Sequence, residues 1–393
     1  MTGTRNPATL DLGGGFAGSG WSFRAGAIAG IPVYVHATIG LLACWVILLA
    51  ASSGRGAEGA LRDVVLLAAV FGCLVLHELG HALAARRFGI STVDITLLPI
   101  GGVARLERMP RRPVEELLVA VAGPAVNFAV AGLLLAWIWA TGSVAAPELW
   151  GTALARRLGT TNLVIGVFNL VPAFPLDGGR VLRAVLAWRF GHLAATRIAA
   201  RVARGLSVLL GVAGVIGSPV LVVIAIFVWA GAGAEAALAE VREALRGVRV
   251  RDAMLTEVHT LPTASSVAEA VAVASLTAQP DFPVVEGGTV VGLLTRADLV
   301  GAVARGATAD GVACVMSGIV ETAAEEDPLR RVAARAFRGG TILVLRGPTV
   351  IGMLTPEHVR DVVRLRSALP PRATARPDQA RLGGPVTCHA RGA

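Results

Sequence analysis

Leu76-His77-Glu78-Leu79-Gly80-His81-Ala82 is the stretch that decides what this chain is. Two histidines four apart, with a glutamate directly after the first, form an HExxH motif. On a helix, positions i and i+4 share one face, so both imidazoles point the same way one turn apart, with a carboxylate beside them. The motif sits inside Val64–Ala85, a run apolar enough to cross a bilayer. Three ionisable side chains in five residues are expensive in hydrocarbon and mark a functional site. Interhelical hydrogen bonding alone is the blander account. Ligation of a divalent cation, zinc above all, explains the spacing as well as the residue types.

The surroundings agree. The chain has 393 residues, 54% of them hydrophobic. The long apolar runs lie between residues 31 and 232, whereas residues 248 to 365 read as a soluble α/β region. Two modules are expected, one in the membrane and one outside it. Formal net charge is +9, and the basic residues are all arginine. They cluster at helix ends, where they set orientation. They form no aromatic-interleaved patch, and the chain has one Tyr, so nucleic acid is rejected as a partner. Cys44, Cys73, Cys314 and Cys388 make no CxxC pair, which excludes a thiolate zinc site and a disulfide scaffold. The first apolar run begins near Ile31 and reads as a retained anchor rather than a signal peptide.

The pattern predicts a polytopic α-helical membrane protein of about six spans with a small membrane-associated β-hairpin, followed by the soluble α/β module. Residues 1–30 are Gly-rich and expected to be flexible. The spans are expected at Val33–Ala51, Leu61–Ala85, Val114–Thr141, Leu158–Phe174, Ile198–Ile216 and Pro219–Ala237, within a domain of residues 31–240. Ser91–Arg105 alternates into Pro99-Ile100-Gly101-Gly102 and predicts the hairpin. A polar-sided helix should follow from Gly179. Six arginines lie in residues 86–113 and six more between Arg180 and Arg204, which predicts that those connectors are cytoplasmic and that both termini lie inside. His77 and His81 then sit near the cytoplasmic surface of a multi-pass cell-membrane protein.

A catalytic zinc site has three protein ligands and an open position. Of the carboxylates in the membrane region, Glu58, Asp63 and Glu148 fall on the opposite side. Glu115 and Glu116 read as partners of a helix dipole, and Asp94 and Glu107 as members of an exposed connector. Asp177 remains, at the same depth as the histidines, with His192 as rival. Asp177 lies in Asn169-Leu-Val-Pro172-Ala-Phe-Pro175-Leu-Asp177-Gly178-Gly179, where prolines and glycines break the helix and let the carboxylate turn inward.

HExxH in one span, with Asn-x-x-Pro-x-x-Pro-Leu-Asp-Gly in a later one, resembles the site-2 protease family of intramembrane zinc metalloproteases. Gly123-Pro124-Ala125-Val126-Asn127 resembles a third element of that family. The resemblance implies one Zn²⁺ per subunit on His77, His81 and Asp177, with Glu78 as catalytic base and Asn127 and Asn169 near the site. Asn169 is the candidate donor to the oxyanion. The implied reaction is regulated intramembrane proteolysis, hydrolysing a peptide bond in or near the transmembrane segment of a membrane-anchored signalling protein. By analogy that substrate is a single-span regulator such as an anti-sigma factor. The hairpin is a candidate receiver for its unwound strand.

The soluble region repeats. Gly292-Leu-Leu-Thr295-Arg-Ala-Asp298 recurs as Gly352-Met-Leu-Thr355-Pro-Glu-His358, and each unit offers a hairpin, Phe282–Val285 with Thr289–Leu294 and Thr341–Leu345 with Thr349–Leu354. This is similar to a tandem pair of CBS domains, expected at 248–306 and 309–367. The family often binds adenine nucleotides through Thr-x-x-Asp, present here as Thr295 and Asp298, whereas His358 replaces the acid in the second unit. A regulatory role and homodimerisation through the pair are expected. Residues 368–393, rich in Pro, Arg and Gly, are expected to form a disordered tail. A CBS-gated metal transporter or channel is the rival reading, although no inverted repeat of broken helices supports it.

Overall fold

Length and apolarity force most of the first half of the chain into helices, because backbone amides in lipid must be satisfied within their own segment. The computed structural model describes residues 21–110, 112–141 and 150–368. It divides into two units, Met1–Glu240 and Val241–Ala393.

The first unit opens with strands β1 (Ser22–Ile28) and β2 (Ile31–His36), then helices α1 (Thr38–Ser52) and α2 (Gly56–Arg87). Strands β3 (Thr92–Leu98) and β4 (Gly101–Leu106) follow, and then α3 (Pro113–Ala140), α4 (Trp150–Asn169), α5 (Asp177–Phe190), α6 (His192–Ile216) and α7 (Pro219–Ala244). Among the described residues, α2, α3, α6 and α7 are long and apolar enough to cross a membrane. α1 is apolar but has only 15 residues. α2 has acidic Glu58 in its first turn and Arg86 and Arg87 in its last, matching the helix dipole at both ends. α3 begins with Pro113, where a missing N–H removes no helical bond. Small residues bring the helices close. A Cβ on Gly80 of α2 would lie 2.8 Å from the Ala122 carbonyl oxygen of α3, so only glycine permits this approach. α6 and α7 pack through Ala199, Ala200, Ala203, Val228 and Ala232 around the buried Ala173 and Phe174.

The predicted hairpin is present, with Ile95 opposite Ala104 and Leu98 opposite Gly101, but it is half of a larger object. The four strands form one sheet in the order β1-β2-β3-β4, and β2 runs parallel to β3. Two expectations need correction. Part of the segment read as flexible, Ser22–Ile28, is a strand held by pairing with β2, and residues 1–20 lie outside the described residues. The first expected span starts too early, because Ile31, Val33 and Val35 alternate with Pro32, Tyr34 and His36 as a strand before the helix begins at Thr38. A third correction concerns Asp177. α4 stops at Asn169, and Leu170–Leu176 is a non-helical bend through Pro172 and Pro175. Proline supplies no amide and disfavours helix in the residue before it, so the fourth expected span cannot run to Phe174. Asp177 opens α5, two residues before the expected start of that helix at Gly179.

The second unit contains two copies of one pattern. The first has β5 (Leu261–Pro262), α8 (Val267–Leu276), β6 (Asp281–Glu286), β7 (Thr289–Thr295) and α9 (Arg296–Ala304). The second has β8 (Thr322–Ala324), α10 (Leu329–Gly339), β9 (Ile342–Arg346), β10 (Thr349–Leu354) and α11 (Pro356–Ala368). In each, a parallel pair is followed by an antiparallel hairpin. The repeats exchange side chains. Met316, opening the second, packs on Gly292 of the first, and Met254, opening the first, packs on Gly352 of the second. Phe282, Val284 and Leu294 fill one core and Ile342, Val344 and Leu354 the other. The expected tail from residue 369 onward lies outside the described residues.

Candidate metal centre

Helical spacing brings His77 and His81 to the buried face of α2, with ring centroids 4.7 Å apart and the rings nearly perpendicular. The bend after α4 delivers Asp177 to the same point. His81 Nε2 lies 3.1 Å from Asp177 Oδ2 and His77 Nε2 lies 3.2 Å from it, while the two Nε2 atoms are 3.1 Å apart. Among the described residues, these three form the one group of His, Cys, Asp or Glu side chains able to hold a metal, with ligand atoms all within 4.8 Å of one another. All three are buried.

The other ring nitrogens define the tautomers. His81 Nδ1 donates to the Val119 carbonyl at 2.7 Å, and His77 Nδ1 donates to Asn127 Oδ1. With both Nδ1 atoms donating, both Nε2 lone pairs face the Asp177 carboxylate. Two imidazoles and one carboxylate, each ring fixed through its second nitrogen, are the donor set and support expected of a zinc site with a free fourth position. The residues fit zinc. Asn127 is itself held, donating through Nδ2 to Asn162 Oδ1 at 2.8 Å, and Asn162 donates to the Leu158 carbonyl at 2.9 Å. Gly123 leaves the room for both imidazoles, since a Cβ there would collide with them. Gly178 lets the chain pass the Leu170 and Val171 carbonyls at the point where the carboxylate is delivered.

Glu78 turns to the sheet. Its Oε2 accepts the Ala104 amide of β4 at 3.0 Å, and Gly102 leaves space for its stem. Asn169 is half-buried and, among the described residues, has no hydrogen bond to His77, His81 or Asp177. The amide that continues the chain of contacts is Asn162, which sequence reasoning missed. Its signal was an asparagine two helical turns before Asn169 in a helix otherwise bound for lipid. His192 does not join the cluster, its Nε2 lying 3.6 Å from Glu116 Oε2.

Glu116 lies in the first turn of α3, as a dipole partner should, and is also a buried carboxylate that accepts from Arg183 Nε at 2.7 Å. Arg183, 2% exposed, also reaches Glu235 of α7 at 2.9 Å and stacks over Phe174, 5.1 Å from its ring centre. Arg183 thus ties α5, the helix that Asp177 opens, to α3 and α7. Asp94, expected to be exposed, is buried and paired with Arg105. Arg180 lies 3.9 Å from Asp177 Oδ1, and its Nε is buried without a partner.

In the second unit, Thr295 and Asp298 satisfy one another. The Thr295 hydroxyl donates to Asp298 Oδ2 at 2.6 Å and accepts the Asp298 amide at 3.1 Å, a capping box that starts α9. His358 takes the same place in the second repeat, its Nδ1 accepting the Thr355 amide at 3.3 Å.

Comparison with known proteins follows the same division. The model of peptidase family M50 matches residues 65–154 and 144–213, and the CBS domain model matches residues 250–305. Zinc metalloprotease MJ0392 of Methanocaldococcus jannaschii is 33% identical over 275 residues, 70% of this chain and 78% of that protein. Rip3 of Mycobacterium tuberculosis is 33% identical over 383 residues, covering 91% of this chain and 97% of its own length. Of solved structures, the site-2 protease from Methanocaldococcus jannaschii aligns with 55% of this chain and 95% of its own at 34% identity, with a TM-score of 0.43.

Proposed function

The chain belongs to peptidase family M50, as a site-2-type intramembrane zinc metalloprotease joined to CBS domains, and from that premise we propose how its residues divide the reaction. His77, His81 and Asp177 hold one Zn²⁺, and Glu78 is the general base. The observation that carries this is the convergence of three buried ligand atoms within 4.8 Å beside a glutamate anchored to the sheet. Zinc, when bound, acidifies a water and polarises the scissile carbonyl. Glu78 would serve as the general base, taking a proton from the attacking water and returning it to the leaving amine. Asn127 holds the His77 ring, and Asn169 is the candidate donor to the oxyanion.

The substrate is a membrane-anchored, single-span signalling protein, with an anti-sigma factor as the representative class. Its helix shields every peptide bond and must unwind before hydrolysis. β4 is an edge strand, and its Ala104 amide already reaches Glu78, so a substrate strand added there lies beside the base. This favours the receiving role for the β3–β4 hairpin at the membrane. We take α1, α2, α3, α4, α6 and α7 as the six spans. The arginine-rich connectors and the CBS module then lie on the cytoplasmic side, although Arg105 and Arg183 are committed to ion pairs and do not count as orientation signals. The CBS pair, bounded at 248–306 and 309–367, regulates or dimerises the enzyme, with Thr295 and Asp298 as the adenine-nucleotide contacts.

The test is cleavage of a membrane-anchored candidate substrate by the reconstituted full chain against Glu78→Gln. The variant should retain zinc and lose about 10²–10⁴-fold in rate, the range for removal of a general base. Equal cleavage by both forms refutes the assignment of Glu78.

A further inference from the structure

α6 and α7 are joined at one end by the short turn after Ile216, and toward their other ends they form an open cleft of about 380 Å³. Its size is that of a small-ligand site, which spans roughly 300–1,000 Å³. Arg197, Arg201 and Arg204 of α6 line it on one side, with Gly233, Ala237 and Glu240 of α7 on the other. Their spacing, i, i+4 and i+7, puts three guanidiniums on one helical face. Glu240 pairs with Arg197 at 3.0 Å. Among the described residues, no carboxylate lies within ion-pair distance of Arg201 or Arg204. Arg201 Nε reaches only the Arg197 carbonyl, at 3.4 Å, and Arg204 sits over the Trp229 ring, 5.6 Å from its centre. The α7 wall is bare where Gly233 stands, since a Cβ there would lie 3.7 Å from Arg204 Nη2.

Orientation in the membrane explains arginines near a helix end. It does not by itself explain three of them on one face of α6, lining a hollow that the neighbouring helix leaves open with small residues. Both helices are long and apolar enough to be membrane spans, and these arginines lie toward the end of α6 that follows the arginine-rich connector, which puts the cleft at the lipid–water boundary. Guanidinium forks match phosphate oxygens, and basic pockets between spans take anionic headgroups. We propose that this cleft binds the phosphate of an anionic phospholipid, gripped by Arg201 and Arg204 with Arg197 as the third positive charge. A headgroup there joins α6 to α7, the helix that also receives Arg183 from the metal-bearing α5 through Glu235.

The experiment is native mass spectrometry of the full chain in a neutral detergent, titrated with phosphatidylglycerol, phosphatidylcholine or inorganic phosphate. Wild type should retain phosphatidylglycerol about tenfold better than phosphatidylcholine, and R201Q/R204Q should lose that preference. R86Q/R87Q removes the same charge elsewhere and should keep it. R201K/R204K, which keeps the charge, should recover most of the binding, and zinc content reports that each variant is folded. Equal retention of both lipids by wild type, or equal loss in R86Q/R87Q, overturns the proposal. Displacement of the lipid by equimolar inorganic phosphate overturns the lipid assignment in favour of a soluble phosphate. The readout is lipid retention, not proteolysis, so its failure leaves the assignment of Glu78 untouched.

Discussion

The polar motifs that stand out in the two units are satisfied in opposite ways. In the first, buried polar groups come from distant parts of the sequence and point toward shared centres. His77, His81 and Asp177 meet at one, and Glu116, Arg183 and Glu235 at another. In the second, the conspicuous polar motif closes on itself, Thr295 with Asp298 and Thr355 with His358, each pair three residues apart at the start of a helix. A polar residue that satisfies its neighbour stabilises a helix end. A polar residue held by a partner 50 or more positions away, as His77 is by Asn127, leaves its other face for a ligand.

This contrast is sharpest at Arg183. Replacing it with Met strands two carboxylates, one of them fully enclosed, and should destabilise the first unit by about 3–5 kcal/mol, the penalty for halving a buried ion pair. Denaturant or steric-trapping titration in detergent reads this directly. The double variant Arg183→Met/Glu116→Leu should recover much of the loss, and failure to recover would mean the network is not a pair in energetic terms. Asn127→Ala comes next. It releases the His77 ring and should weaken zinc 10–100-fold against a competing chelator, the usual effect of removing a support behind a ligand. Asn162→Ala, one contact further out, should weaken it less, and an equal effect would break the proposed order of the chain. The smallest effect belongs to the second unit. His358→Ala removes one cap and should lower the CBS unit's stability by about 1 kcal/mol, leaving zinc affinity unchanged. A change in zinc affinity would contradict the separation between shared centres and self-satisfied caps.

What could be read from sequence follows the same division. HExxH stood out because ionisable groups are rare in apolar runs, and Asp177 because prolines and glycines surround it. The internal repeat was legible as recurring Gly and Thr positions, whereas the exchange of Met254 and Met316 between repeats was not, because nothing local encodes which glycine a methionine meets. β1 escaped notice because six of its seven residues are exposed and pairing alone makes it a strand. The alternation of β2 was absorbed into the hydrophobic run of α1. Glu116 resembled any acid in a first helical turn, and its partner Arg183 any arginine in a basic connector. Their burial depends on α3, α5 and α7 meeting, which no window of sequence contains. The Ala104 amide on Glu78 is a main-chain group and leaves no residue signature at all.

The central claim is that two imidazoles and one carboxylate, brought together from α2 and α5, hold a single zinc. X-ray absorption spectroscopy of the purified full chain, with metal content measured alongside, tests it most directly. One zinc per chain with two imidazole nitrogens and low-Z oxygen neighbours is expected, with loss of zinc from both His81→Ala and Asp177→Ala. Undiminished zinc in Asp177→Ala, or a sulfur neighbour in the wild-type spectrum, would contradict it.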